Sequence, residues 1–524
     1  MLVSRLDKLE QEVFNHVFKL NPRQAVMLGL HDYDGLLPDV SPGGLKAWMD
    51  KAAGLLDRVK RESHGLDKDG HLDALCLETM LERVLFDAQD LRGYATRPNI
   101  YSMQLSLTPY TSREYAPVDA RIEAVNKHLG RVPGFLDQAS RNLDETLAQP
   151  IVEVATKQVQ GVLRDLDGNA TQEAGKASAP VREEFENLKR DVVVAMASFV
   201  EALSEEHSLS MDFALGRERF QKLLWVNDRI SRPVEEVLAM GLSDLESNLK
   251  ALRELAEKIG PGKTIASVIE GIQEIHPTAH RLIDETGEGL RDLELWFREH
   301  DLVSIPAGTK VRVVPTPMHM RATTTAAMSS PGPFEKEGLE GLYYVTPPED
   351  SWDLKTREEW LRHLNYVTLK DISIHEVFPG HYIHRLFQRE FGNSMTRKAY
   401  WNYAFGEGWA YGNDALRLIQ LKEALLRDCR FIVSFWMHTQ GLGVDQARQF
   451  IMENAYMETL PAEREALRGT FDHSYYGYTL GKLFIKKARE RFFHAHSTAS
   501  AKEFHDKLLG LGGAPVGLLE ELIV

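Results

Sequence analysis

The stretch SIHEVFPGHYIH, residues 373–384, places three histidines and a glutamate within twelve positions. The familiar zinc-peptidase helix carries H-E-x-x-H, whose histidines stand four apart and share one face. Here His375 and His381 stand six apart, with Pro379-Gly380 between them. An α-helix turns about 100° per residue, so six positions leave about 120° between the two side chains. A straight helix cannot aim both at one metal ion. Proline removes a backbone donor and clashes with the preceding turn. Glycine admits backbone conformations that other residues avoid. The pair therefore interrupts the helix, and a kink there can return His381 to the face of His375. Taken alone, the segment reads equally well as a chance cluster, with His381 and His384 one turn apart as caps or partners of acids.

A second stretch tips the balance. NYAFGEGWAYGNDALRL (402–418) puts Glu407 between Gly406 and Gly408 in an aromatic, helix-like segment. Glycine in a helix costs about 1 kcal/mol relative to alanine, so two flanking one carboxylate predict close packing against another backbone. Glu407 follows His381 by 26 positions. That length fits one helix, a short turn at FGNSMT and an antiparallel helix returning Glu407 to the histidines. Catalytic zinc takes three protein ligands from histidine nitrogens and carboxylate oxygens and keeps one position open. His375, His381 and Glu407 form such a set, one zinc per chain, and Glu376 stays free as a general base for water.

The rest of the chain is mostly helical. VDARIEAVNKHLGRVPGFLDQASRNL (118–143) and APVREEFENLKRDVVVAMASFVEALSEE (179–206) carry apolar residues at three- and four-residue spacing. PVEEVLAMGLSDLESNLKALRELAEKI (233–259) does the same, between Pro233 and Gly260-Pro261. LRDLDGNATQEAGKASAP (163–180) is polar and small and predicts a loop. After residue 300 the texture changes. TKVRVVPTPMHMRA (309–322) and EGLYYVTPP (340–348) read as strands, with TTTAAMSSPGPF (323–334) a loop between them. From Thr356 onward the chain is helical again. The expected fold is mostly α, with a small β-sheet before the metal-binding helix. Residues 1–300 are expected to form a helical region walling a cleft, and 301–524 the sheet and catalytic helices, as one continuous structural unit.

Composition narrows the partners. The 524 residues carry a formal net charge of −15, which disfavours nucleic acid and anionic membranes. The two cysteines, Cys76 and Cys429, exclude a disulfide framework. The N-terminus is charged and amphipathic, without the apolar core of a signal peptide, and no stretch is apolar for eighteen residues. A cytoplasmic protein is expected.

HEVFPGHYIH resembles the H-E-x-x-P-G-H-H-x-Q signature of the bacterial family called domain of unknown function 885. GEGWAYG (406–412) resembles its E-G-W-A-x-Y segment, and YGYTLGKL (476–483) its Y-x-x-G-x-L segment. RFIVSFWMH (430–438) resembles a helix that there often ends in D-x-G-x-H, and NPRQAVMLGLHDYDGLLPDVS (21–41) is also familial. The resemblance implies a mostly helical, gluzincin-like metallopeptidase, distantly akin in design to thimet oligopeptidase, carboxypeptidase Taq and angiotensin-converting enzyme. It supports His375, His381 and Glu407 as ligands and Glu376 as base. Tyr382 stands where that pattern has histidine, His384 where it often has glutamine, and Ser434 where it often has aspartate. Tyr478 falls on the third signature, which marks it as donor to the oxyanion of a peptide-hydrolysis transition state.

A terminal carboxylate on a substrate needs a cation, and Arg321 and Lys482 are the candidates. His438 and Arg430, eight apart on one helix, read as supporting residues. The strand around Tyr344 could align an extended peptide by edge pairing. The leading reading is zinc-dependent hydrolysis of short peptides, of carboxypeptidase or oligopeptidase type. Metal-dependent hydrolysis of a non-peptide amide or ester, and a non-catalytic metal-binding scaffold, are the alternatives.

Overall fold

A computed structural model describes residues 5–317, 320–321, 324–411, 417–457 and 459–524. The ends of two sequence readings, the strand through 318–322 and the helix through 412–416, fall partly outside these residues. The chain divides into two compact units: 1–213 with 331–339 and 393–400, and 214–330 with 340–392 and 401–524. The change of texture at residue 300 marks the approach to a sheet, whereas the boundary between the units falls at 213/214.

The first unit is helical because its segments carry caps and apolar stripes together. The helix Pro42–Glu62 starts at Ser41, whose side chain accepts from Gly44 N. It buries Trp48, Ala52, Leu55 and Val59, a stripe of period three to four. Asp67 caps Lys68–Gln89 in the same way. Ala179–Glu205 buries Phe185, Val192, Met196, Phe199 and Leu203. The expected 118–143 helix is two helices, Val118–Leu129 and Val132–Asn142, broken at Gly130. The loop expected over 163–180 is helical as far as Ala174, through a π-turn at Leu166–Ala170. The physical reason is burial: Leu166, Ala170 and Ala174, four apart, sit in the core and leave the polar residues outside. Two later segments join this unit. Thr396 N donates to Glu10 Oε1 at 2.6 Å and Phe334 N to Leu28 O at 3.0 Å. A short parallel pair, β1 (Thr146–Ala148) and β2 (Ser208–Ser210), completes it.

The second unit holds a three-stranded sheet of β3 (Val311–Pro315), β4 (Ala326–Ser329) and β5 (Gly341–Val345), in the order β3-β5-β4. β3 runs parallel and β4 antiparallel to β5. Two expectations change here. Part of the predicted 323–334 loop is strand β4, whose Ala-Ala-Met-Ser side chains show no strand pattern but whose backbone pairs Ala326–Ser329 with Val345–Leu342. The strand bearing Tyr344 is central, with both edges paired, so it offers none to a peptide. Among the described residues β4 is an outer strand of the sheet, and Met328 N on it reaches the helix that ends at Glu376. The helices that build the site are α1 (Tyr366–Glu376), α2 (His381–Phe391), α3 (Tyr403–Tyr411), α4 (Arg417–Gln440) and α5 (Gly477–Ala495). No helix among the described residues is long and apolar enough to cross a membrane.

Candidate metal centre

The break at Pro379-Gly380 ends one helix and begins another. α1 stops at Glu376 and α2 starts at His381. Gly380 N donates back to Ile374 O at 3.0 Å, folding the link onto the end of α1. A Cβ at Gly380 would lie 1.7 Å from His375 O, so only glycine lets the chain pass that carbonyl. Trp409 Nε1 donates to Pro379 O at 2.7 Å, which ties the GEGW segment to the break.

The fold brings His375, His381 and Glu407 together, with one ligand atom from each lying within 4.8 Å of the others. His375 Nε2 lies 3.6 Å and His381 Nε2 3.5 Å from Glu407 Oε2. Zinc with bonds of about 2.0–2.1 Å and tetrahedral geometry spaces its ligand atoms by about 3.3–3.4 Å. Glu407 Oε2 is buried and makes no hydrogen bond to the described residues, and neither does His381 Nδ1. A buried carboxylate oxygen left this way is costly unless a cation meets it. The residues therefore fit a zinc ion in donor type and spacing. Burial would raise the Glu407 pKa, but His381 and His375 outweigh it and carry it down to about 2. Burial would lower His381, and Glu407 reverses that.

Glu376 stands beside the set. Its Oε2 accepts from Met328 N of β4 at 2.9 Å. Burial, opposed by His381 and reinforced by Glu407, raises its pKa. A carboxylate so placed holds a proton more readily than an exposed glutamate does.

Glycines explain how Glu407 is brought in. A Cβ on Gly408 would lie 2.3 Å from Gly481 C, and one on Gly481 would lie 1.7 Å from Ala404 O. α3 and α5 therefore cross backbone to backbone, as the glycines flanking Glu407 predict for Gly408. Gly406 instead makes room for the Trp401 ring, 2.1 Å from where its Cβ would stand.

The remaining candidates have other positions. Tyr478 is half-buried, edge-on to Tyr403 with ring centroids 5.6 Å apart, and Arg430 lies 5.0 Å from its ring centre. Lys482 is buried, its ammonium engaged by Asp244 and by Asp428 at 3.7 Å. That corrects the expectation that it holds a substrate carboxylate, because the charge is already neutralised. His438 is fully buried with Nε2 2.9 Å from Gly469 O, a core histidine whose pKa burial pushes down to about 4. Tyr344 is buried in the sheet, in register with Val314 and Ala327. Arg321 donates from Nε to Thr316 O at 2.8 Å. Arg430 makes a two-pronged pair with Glu465, at 2.9 and 2.7 Å. Tyr382 donates to Lys310 O at 2.6 Å, and His384 stacks on Trp401 at 4.7 Å, outside the ligand set. Ser434 is fully buried.

Sequence reasoning missed three neighbours. Tyr403 precedes Glu407 by one turn of α3, and Arg468 Nη2 donates to its hydroxyl at 3.1 Å. Arg427 on α4 bears electrostatically on Glu376 and Glu407. Arg385 follows His381 by one turn. A four-residue offset from a proposed ligand is the signal that finds Tyr403 and Arg385; Arg427 leaves no local trace.

A family model described as "Bacterial protein of unknown function (DUF885)" matches residues 22–523. No curated protein matches. Two solved structures share the fold. One, described as a predicted lipoprotein of unknown function from Shewanella oneidensis, has a TM-score of 0.81 at 20% identity and covers 99% of each chain. The other, described as a predicted lipoprotein from Colwellia psychrerythraea, has a TM-score of 0.79 at 14% identity, covering 100% of this chain and 99% of that one.

Proposed function

From the premise that the chain belongs to the bacterial DUF885 family, we propose that it is a zinc-dependent peptidase of short peptides, built on a gluzincin-like plan. The observation that carries this reading is the meeting of His375, His381 and Glu407 at 3.5–3.6 Å around an oxygen with no hydrogen bond to the described residues, with Glu376 outside that set beside it. Zinc held by His375, His381 and Glu407 would supply Lewis acidity toward water and a carbonyl oxygen. Glu376 takes the proton of the attacking water and delivers it to the leaving nitrogen. Met328 N holds Glu376 in place for both transfers. The Tyr478 hydroxyl donates to the oxyanion as the carbonyl becomes tetrahedral. β4, whose Met328 N meets Glu376, is an outer strand of the sheet, beside which an extended substrate would lie.

The same four residues would serve hydrolysis of a non-peptide amide or ester. A structural metal site is closed by four protein ligands, and the set among the described residues has three. A cytoplasmic location belongs to the same proposal, although the two structural relatives are described as lipoproteins, and cell fractionation tests it. The deciding experiment digests a peptide library with the zinc-loaded protein and reads the products by mass spectrometry. Chelator and Glu376→Gln should each abolish cleavage. A protein that binds zinc but cuts no peptide, while hydrolysing simple amides or esters, would move the reading to the second reaction.

A further inference from the structure

Arg385 lies four residues after His381 on α2, so the two project within about 40° of one another. Between them Tyr382, Ile383 and His384 are buried, while His381 and Arg385 are both partly open. The strip of α2 that reaches solvent near its start is thus the proposed ligand and this arginine. The guanidinium carbon stands 3.5 Å from the centre of the Trp401 ring, and the His381 ring centroid lies 6.3 Å from the same ring. Those two contacts, with the one-turn rise along the helix, keep the guanidinium within about 10 Å of His381.

What distinguishes Arg385 is its partners. Its only hydrogen bond among the described residues goes from Nη1 to the neutral Gln388 Oε1, at 3.0 Å. Arg427, the other arginine near the site, pairs with Glu423 at 3.0 Å, and Arg389 pairs with Glu390 at 3.4 Å. A half-buried arginine flattened on an indole, with no acid against it, retains a fork of donors for a planar anion. Stacking fixes the plane of that fork in advance, which lowers the entropy cost of binding. Burial pushes its pKa down to about 10, so it stays charged at neutral pH while poorly solvated.

We propose that Arg385 binds a free carboxylate of the substrate, giving the site a preference for peptides that end close to the cleaved bond. The proposal rests on the peptidase reading for the identity of the ligand. Each extended residue spans about 3.3 Å, so the reach to Arg385 allows at most about three residues beyond the scissile bond. The carboxylate is the main-chain terminus or the side chain of a last acidic residue, two sources of one chemistry. Arg385 thus takes the task that sequence reasoning gave to Arg321 and Lys482.

The test uses the zinc-loaded Glu376→Gln protein, in which peptides persist. N-acetylated tripeptide mixtures are offered as terminal acids, as terminal amides, and as amides with glutamate last. Binding is read by equilibrium dialysis with mass spectrometry. The acids should bind at least about 10-fold more tightly than the plain amides, in keeping with loss of a charged two-pronged contact. Adding Arg385→Met should remove that preference while amide binding stays within about 2-fold, and Arg385→Lys should keep part of it. Binding of the glutamate amides alongside the acids assigns a carboxylate in general, and their exclusion assigns the main-chain terminus. Equal binding of acids and plain amides, no binding of either, or a preference that survives Arg385→Met overturns the inference. Cleavage by the unmutated protein is scored separately. Carboxylate-selective binding without cleavage would remove the peptidase reading and leave the anion site, and cleavage indifferent to the terminus would do the reverse.

Discussion

Glu407 is held as an anion by two imidazoles against the pull of burial, and that opposition is what a cation relieves. At the scale of single residues, the first expectation follows from it. The purified protein should hold about one zinc per chain, and His375→Ala, His381→Ala and Glu407→Ala should each lose most of it, measured by metal analysis after dialysis. Full retention in Glu407→Ala would remove that residue from the ligand set. A second expectation concerns the proposed oxyanion donor, Tyr478. Tyr478→Phe should lower kcat about 10²-fold with little change in KM, because an oxyanion donor acts in the transition state. Tyr403 is the control. Its phenol is kept protonated by burial and Glu407 and accepts from Arg468. If Tyr403→Phe carries the loss and Tyr478→Phe does not, the donor is one turn from Glu407 instead. The meeting of His375, His381 and Glu407 was legible in the sequence because metal chemistry restricts the type and spacing of the residues that could serve it. The fates of Lys482 and His438 were not, because a sequence shows a charge or a ring but not the Asp244, Asp428 or Gly469 oxygen already against it.

At the scale of elements, the site is assembled by places where a side chain cannot exist. His375 O against Gly380 sets the turn from α1 to α2, and Gly408 against Gly481 sets the crossing of α3 with α5. Gly380→Ala should therefore cut zinc affinity by about the 10–100-fold typical of losing a supporting contact, with helix content by circular dichroism almost unchanged. An unaltered zinc titration would mean that the link tolerates a Cβ and that the facing of His381 has another cause. Gly481→Ala forces backbone apart rather than a flexible side chain, and overpacking of that kind costs about 1–3 kcal/mol or more. It should lower Tm with or without zinc. The Pro-Gly break and the glycines beside Glu407 carried these features into the sequence as exceptions to helix propensity. Strand β4 carried no such mark. Ala326–Ser329 has neither β-branched nor aromatic residues, and only pairing with β5 makes it a strand.

At the scale of the whole molecule, the chain comprises two compact units, each with elements drawn from distant sequence. The first takes in 331–339, and one clasp on that segment titrates. His31 Nδ1 faces Asp34 Oδ1 at 3.1 Å, its Nε2 faces Glu335 at 3.2 Å, and its ring stacks on Tyr115 at 3.9 Å. Burial alone would lower its pKa, but hydrogen bonds and charges from Asp34 and Glu335 outweigh this and raise it to about 9. An unfolded histidine titrates near 6.5. A folded pKa above the unfolded one means the folded state binds the proton more tightly. The stability it lends is then complete below about pH 6.5 and is lost as pH rises through about 9. His31→Gln keeps some hydrogen bonding but cannot carry the charge. The Tm difference between parent and His31→Gln should be largest near pH 6 and shrink steadily toward pH 10, with other alkaline titrations cancelling between the two proteins. Adding zinc should shift both proteins alike, because the proposed metal residues belong to the second unit and His31 to the first. A Tm difference that stays constant from pH 6 to 10 would show that His31 contributes by packing on Tyr115 rather than by its proton.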